Sequence, residues 1–288
     1  MNKASIGIIG GSGLYEIEGF EQREEVALDT PFGKPSDNYV VGAFGGKKVA
    51  FLSRHGRGHR IDPSNINYRA NIWGMKELGV QRIISVSAVG SMKEGLAPGA
   101  FVIPDQFIDR TTKRITTFFY GEGIVVHIPF GDPICITLIE SLYAAARGVA
   151  STVQKNGTYL NMEGPQFSTR AESNTYRSWG VDVIGMTNLA EAKLSREAEI
   201  CYATLALVTD YDCWREGEEN VNVEKVLSTI RSNVSRAKEV LKKVIPTVDT
   251  KNPCACHESL KYAIQTNPQS IDANVKKKFS LLLGKYLK

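Results

Sequence analysis

The sequence predicts an α/β protein of layered sheet and helix, with parallel strands prominent and at least one antiparallel hairpin. Three observations carry that expectation. Apolar, β-prone runs alternate with segments of helical period nearly throughout, as when crossover helices join parallel strands. Two strand-like runs, 39–44 and 48–52, flank Gly45-Gly46, a hairpin turn signal. A chain of 288 residues, 42% apolar and 23% charged, suits a globular protein with a sizeable core and excludes disorder and fibres.

The first strand is read at 5–9 and gives way to Gly10-Gly11-Ser12-Gly13. After the hairpin a helix is expected over 64–78, with Ile66, Ala70, Trp73 and Leu78 facing inward and Gly79 ending it. A buried strand over 82–89 leads into Gly90-Ser91, and 133–146 reads as helix. Then come an extended piece at 157–160, a helix over 169–179 stopping at Gly180, a short strand at 181–184 and a helix over 189–199. Residues 200–209 are almost wholly apolar and read as another buried strand. Across 221–244, Val223, Val226, Leu227, Ile230, Val234, Ala237, Leu241 and Val244 keep the helical period. No internal repeat is present. From Pro246 the chain turns polar and ends in a short amphipathic helix (Val275, Phe279, Leu282, Leu283, Tyr286), so residues 1–245 form the main domain and 246–288 an appended arm.

The net charge of +4 sits at the end of the chain, where Lys276, Lys277, Lys278, Lys285 and Lys288 face Asp272 alone. The body is near neutral, which argues against a nucleic-acid groove and for a solvated tail. No run is long enough to span a membrane, and the first residues lack an export signal, so a cytoplasmic protein is expected. The five cysteines, an odd count, do not suggest a secreted disulfide framework. Cys254-Ala255-Cys256, with His257 adjacent and no second pair nearby, falls short of a zinc site, and no metal is expected.

Chemistry is expected on one rim of the sheet. Asp210-Tyr211-Asp212 ends the 200–209 strand, at the carboxyl edge where open α/β sheets hold ligands. A carboxyl there can share a proton with a ring nitrogen or accept from an exocyclic amine; the plainer alternative is a turn or N-cap aspartate. Three arginines and two histidines within Ser53-Arg54-His55-Gly56-Arg57-Gly58-His59-Arg60 suit a compact phosphate or carboxylate site, against a merely solvated basic loop. Gly10-Gly11-Ser12-Gly13 fits neither a dinucleotide fingerprint nor a P-loop, although its amides and hydroxyl suit an anion. Ser87-Ala88-Val89-Gly90-Ser91 and Met186-Thr187 end two further strands. Phe167, just past Pro165, is either core filling or a platform for a flat ring. No serine–histidine–acid arrangement and no imine-forming lysine stands out.

Taken together, these segments resemble the 5′-methylthioadenosine phosphorylases of the trimeric purine nucleoside phosphorylase family. The resemblance rests on GIIGGSGL (7–14), DTPFGKPSD (29–37), RHGRGHR (54–60), NINYRANIW (65–73), DQFIDRTT (105–112), EGPQFSTRAES (163–173) and TDYDCW (209–214). It implies one α/β domain with a mixed, partly barrel-like central sheet surrounded by helices, assembled as a homotrimer or homohexamer. It further implies cleavage of 5′-methylthioadenosine by inorganic phosphate to adenine and 5-methylthioribose 1-phosphate, with phosphate as co-substrate and no cofactor. Matched by motif, Ser12, Arg54, His55, Ser87, Ala88 and Thr187 would bind phosphate. Phe167 and Met186 would pack on purine and ribose, and Asp210 and Asp212 would face the adenine edge as the catalytic pair. His127 would reach a neighbouring subunit's ribose 5′ end, and Val223 and Val226 would line an apolar methylthio pocket.

Two aspartates suit a 6-amino purine, where the 6-oxo branch of the family has an amide. A broader phosphorylase acting on adenosine or 6-oxopurine nucleosides, a nucleoside hydrolase, and a nucleotide-binding regulator without turnover are the competing readings. The chain departs from the family pattern in lacking the usual proline before Glu191 and in carrying Gln166 where Arg is common. By analogy with thermophilic archaeal members, disulfides Cys254–Cys256 and Cys135–Cys201 are implied, with Cys213 free.

Overall fold

The computed structural model describes residues 3–215 and 223–287. In chain order the elements are β1 (Ile6–Gly10), β2 (Glu21–Val26), β3 (Tyr39–Phe44), β4 (Lys47–Ser53), α1 (Tyr68–Glu77), β5 (Arg82–Ser91), β6 (Phe101–Ile103), β7 (Gln106–Asp109) and α2 (Ile136–Arg147). There follow β8 (Val153–Lys155), β9 (Thr158–Asn161), α3 (Arg170–Ser178), β10 (Val183–Gly185), α4 (Asn188–Glu197), β11 (Cys201–Asp210), α5 (Val223–Val244), α6 (Ala273–Lys278) and α7 (Ser280–Leu283). All eleven strands join one mixed sheet, ordered β2-β3-β4-β1-β5-β10-β9-β7, with β11, β6 and β8 branching from β5. The sheet does not close on itself.

Its centre is the parallel pair β5 and β11, ten residues each and buried almost end to end. Only strands covered on both faces can be so continuously apolar, which is why 200–209 reads so plainly in the sequence. The hairpin β3–β4 turns at Gly45 and Gly46, both at positive φ, where a side chain would be strained.

Boundaries shift where a polar side chain captures the backbone. The helix expected from residue 64 starts at Tyr68, because the Asp62 carboxylate takes the amides of Ser64 and Asn65 into a turn. Asn67 then caps the helix by accepting from the Ala70 amide. In α3, Thr169 and Glu172 form a reciprocal capping box, so the cap and not the helix occupies residue 169.

The solvated tail expected at the end of the chain is instead packed. Phe279, Leu282 and Leu283 are buried in the main core, with Phe279 against Phe32, Trp73 and Phe119. Its lysines reach back to the body: Lys278 to Glu122 at 2.6 Å and Lys285 to Glu199 at 2.5 Å. The implied disulfides Cys254–Cys256 and Cys135–Cys201 are not formed, and all five thiols are free. Among the described residues, no helix is long and apolar enough to cross a membrane.

Candidate active site

The sheet has a notch. Along one edge β5 pairs with β1 through Arg82–Ser85 and with antiparallel β10 only from Gly90, while β11 follows the other edge from Arg82 to Gly90. Residues 86–89 therefore lack a strand neighbour on the β1/β10 side, and their outward amides and carbonyls need other partners. The Val86 carbonyl finds one in Arg54, Nη1 donating at 3.0 Å. Edge direction alternates along a strand, so the Ala88 amide shares that open side. Ala88 is also the exposed residue in an otherwise buried strand. This is the carboxyl-end crevice at a change of strand direction where such sheets take ligands.

Arg54 follows β4 directly, its amide bonded to the Gly10 carbonyl at 2.9 Å, so β1 and β4 fix its position beside the notch. Its side chain is buried and grips Glu191 of α4 with two nitrogens, Nε to Oε1 at 2.5 Å and Nη2 to Oε2 at 3.1 Å. Nη2 also donates to Ser85 Oγ at 2.6 Å. Burial works against the guanidinium charge, but the Glu191 carboxylate outweighs it and raises the pKa further. The network continues through Asn188, whose amide nitrogen lies 2.9 Å from the hydroxyls of Ser85, Tyr202 and Thr204, and Tyr202 donates to Glu191 at 2.8 Å. A buried charge pair so fully hydrogen-bonded acts as a rigid wall.

Sequence reasoning missed Glu191, Ser85, Asn188 and Tyr202. The usable signal was Tyr202 and Thr204, polar groups two apart on one face of an otherwise apolar strand.

His55 places Nδ1 2.8 Å from the Ile61 carbonyl and stacks on His59 with centroids 4.2 Å apart. Burial, with the Arg54 charge next, lowers its pKa to about 4. The ring is therefore neutral at pH 7. A carbonyl only accepts, so Nδ1 carries the proton and Nε2 is an acceptor. Thr187 is buried at the N-cap of α4 without capping through its side chain, and its hydroxyl lies 3.4 Å from Asn188 Oδ1.

At the end of β11, Asp210 accepts from the Asp212 amide at 2.8 Å through Oδ1 and from the Thr209 hydroxyl at 2.6 Å through Oδ2. Asp212 stands at φ 54, a left-handed conformation that aspartate tolerates. Burial raises the pKa of both carboxyls; hydrogen bonds oppose it, and for Asp210 the neighbouring Asp212 charge adds to it. Gly90 makes room for them: a Cβ there would meet Asp210 Oδ1 at 3.0 Å and Ile184 at 3.1 Å.

Arg114 braces a third wall, donating to the carbonyls of Met186 and of Glu163, the latter at 2.6 Å. The Glu163 carboxylate accepts from Ser64 at 2.5 Å and from the Thr112 amide at 2.6 Å. Burial opposes its charge, yet these bonds hold its pKa down at about 2. Phe167, 56% exposed, is not core filling.

Thus Arg54, Ser87 and Ala88 lie at the notch, Asp210 and Asp212 beside Gly90 where it ends, and Met186 and Thr187 on the β10–α4 connection. His127 is exposed, its segment bound to the arm by His127 N to Ala263 O at 2.8 Å and a Val126–Ile264 bridge. The side chains of Ser12, Val223 and Val226 lie outside the described residues.

Residues 5–246 match the sequence profile of the phosphorylase superfamily. S-methyl-5′-thioadenosine phosphorylase of Geobacter sulfurreducens is 54% identical over 282 residues, covering 98% of this chain and 99% of the relative. The protein of that name from Synechocystis is 56% identical over 291 residues, covering 99% and 89%. A crystal structure of methylthioadenosine phosphorylase from an antarctic soil metagenomic library aligns with a TM-score of 0.93 at 45% identity, covering 98% of this chain and all of that one, or 100%. Methylthioadenosine phosphorylase from Schistosoma mansoni in complex with adenine aligns with a TM-score of 0.84 at 36% identity, covering 91% and 99%.

Proposed function

The chain belongs to the phosphorylase superfamily, and on that premise we propose that it cleaves 5′-methylthioadenosine with inorganic phosphate, releasing adenine and 5-methylthioribose 1-phosphate. The names of the relatives at 54% and 56% identity support this reading. The observation that carries it is the pair of carboxyls at the end of β11, Asp212 buried and Asp210 partly so, beside a sheet notch walled by Arg54 and Glu191.

Phosphate sits in the notch, held by the Ala88 amide, the hydroxyls of Ser12, Ser87 and Thr187, and the positive side of Arg54. Because Nε2 of neutral His55 accepts, it suits the hydroxyl of a singly protonated phosphate. A phosphate oxygen attacks C1′ as the C1′–N9 bond breaks. The bonding pair enters the purine, which takes a proton at a ring nitrogen from Asp210. Phosphate on one face stabilises the oxocarbenium-like sugar, and burial, which raises the pKa of Asp210, favours proton donation on the other. Asp212 accepts from the exocyclic amine, and Phe167 and Met186 pack on base and sugar. An apolar pocket including Val223 and Val226 prefers methylthio to hydroxyl by only ~10- to 200-fold, so adenosine is a poorer substrate.

We place residues 1–245 as the phosphorolytic body and 246–288 as the arm. The enzyme works as a cytoplasmic homotrimer or homohexamer in which His127 serves a neighbour's ribose. No group beyond phosphate is needed, because the charge is handled by side chains and the co-substrate.

The test is product analysis. Methylthioadenosine with phosphate should yield free adenine, and omitting phosphate should abolish it. Equal release without phosphate would indicate a hydrolase, and binding without release a regulator; either result defeats the proposal.

A further inference from the structure

Away from the notch, four cysteine sulfurs converge. Cys135 is the N-cap residue of α2, Cys201 begins β11, and Cys254 and Cys256 flank the first residue of a short 3-10 turn in the arm (Ala255–Glu258). Their Sγ atoms all lie within 4.8 Å of one another, with Cys135 and Cys254 3.8 Å apart. Cys135, Cys201 and Cys256 are buried and Cys254 is partly so.

We propose that Cys135, Cys201, Cys254 and Cys256 bind one thiophilic divalent cation, zinc by coordination preference, which clamps the C-terminal arm to the body. A tetrahedral ion with metal–sulfur bonds of about 2.3 Å separates its sulfurs by about 3.8 Å. The Cys135–Cys254 edge matches that spacing, and no edge exceeds it by more than about 1 Å. Four sulfurs without oxygen ligands select zinc or iron over magnesium or calcium.

The surroundings suit the charge. A divalent ion with four thiolates carries a net double negative charge, and binding releases the four thiol protons to solvent. The Arg82 guanidinium, buried and anchored to the Asn252 carbonyl at 3.0 Å, touches the His257 ring, whose Nε2 lies 3.7 Å from Cys201 Sγ. Thr137 Oγ1 is 3.0 Å from Cys135 Sγ, in the first turn of α2, where the helix dipole favours negative charge. A cation linked to the cluster through the His257 ring, and a hydroxyl on Cys135, suit a thiolate cluster.

The clamp has a structural target. Beyond Cys256 the arm carries Ala263 and Ile264, which pair with the segment bearing His127, and then Phe279 in the core. Two of the ligands hold the arm while the other two belong to the central strand and its neighbouring helix.

The full chain, purified under reducing conditions without added chelator, should hold about one zinc or iron per chain by elemental analysis. Native thiol titration should find Cys213 alone reactive, and a strong chelator should release the other four. Cobalt(II) added to chelator-stripped protein should give thiolate-to-cobalt charge-transfer bands and tetrahedral d–d bands. The Cys254→Ser/Cys256→Ser variant should lose both metal and bands, and should expose the arm to limited proteolysis. Should that variant fail to fold, the wild-type cobalt titration still decides. Sub-stoichiometric metal with no charge-transfer bands overturns the proposal. So does a non-reduced, denatured chain with fewer than five titratable thiols, which would indicate disulfides.

Discussion

Replacing Asp210 with Asn tests the base end of the site with little disturbance elsewhere. The amide is nearly isosteric, and the structure shows how it is absorbed. Asp210 Oδ1 keeps its bond from the Asp212 amide, 2.8 Å in the wild type. The Thr209 hydroxyl, now donating to Oδ2 at 2.6 Å, turns to the Val89 carbonyl at 3.2 Å and accepts from the new amide nitrogen. No buried group is stranded, so stability should change by no more than ~1 kcal/mol. The chemistry changes more. The variant has no carboxyl proton to give the departing purine, and an amide suits a 6-oxo purine better than a 6-amino one. Positioned proton transfer is worth about 10²- to 10⁴-fold, roughly 3–5.5 kcal/mol of barrier. We expect kcat/KM for 5′-methylthioadenosine to fall by that factor while 5′-methylthioinosine gains relative to it, followed as adenine and hypoxanthine release. The wild type should lose activity as rising pH removes the Asp210 proton, at a pH above the ordinary carboxylate range because burial raises that pKa. The variant should lack this limb. An unchanged ratio of the two substrates, or an unchanged pH profile, would refute the assignment.

Glu191→Gln offers Arg54 one acceptor where there were two and leaves a buried cation unneutralised; the cost should be about 3–5 kcal/mol in urea unfolding. Arg54→Met/Glu191→Leu should destabilise less than either single change, because the charge leaves with its partner. His55 has a folded pKa of about 4, below the 6.5 of the unfolded chain, so its contribution to stability is complete above pH 6.5 and is lost as pH falls towards 4. Unfolding at pH 7 and pH 5 should show that loss in the wild type, and less of it in His55→Asn. Phe167→Ala, at an exposed position, should leave Tm nearly unchanged yet raise KM roughly tenfold or more, from ~1–3 kcal/mol of base stacking.

Much of this was legible before folding because its signal is local. The unbroken apolar run of β11 marks a strand covered on both faces, and the aspartates follow it directly in sequence. What was not legible depends on residues far apart in the chain. Arg54 reads as a free anion clamp until Glu191, 137 residues away, closes on it. The Cys-Ala-Cys pair falls short of a metal site by local count until Cys135 and Cys201 arrive from α2 and β11. The lysine-rich tail reads as solvated because its charges dominate, although Phe279, Leu282 and Leu283 keep a buried face. The notch comes from β10 joining β5 only at Gly90, a pairing no single segment encodes.

The most direct test of the account is a crystal of the wild-type protein grown with sulfate and adenine. The account predicts sulfate in the notch beside Arg54, Ser87 and Ala88, and adenine with its edge against Asp210 and Asp212. Adenine bound elsewhere, or sulfate absent from the open edge of β5, would contradict it.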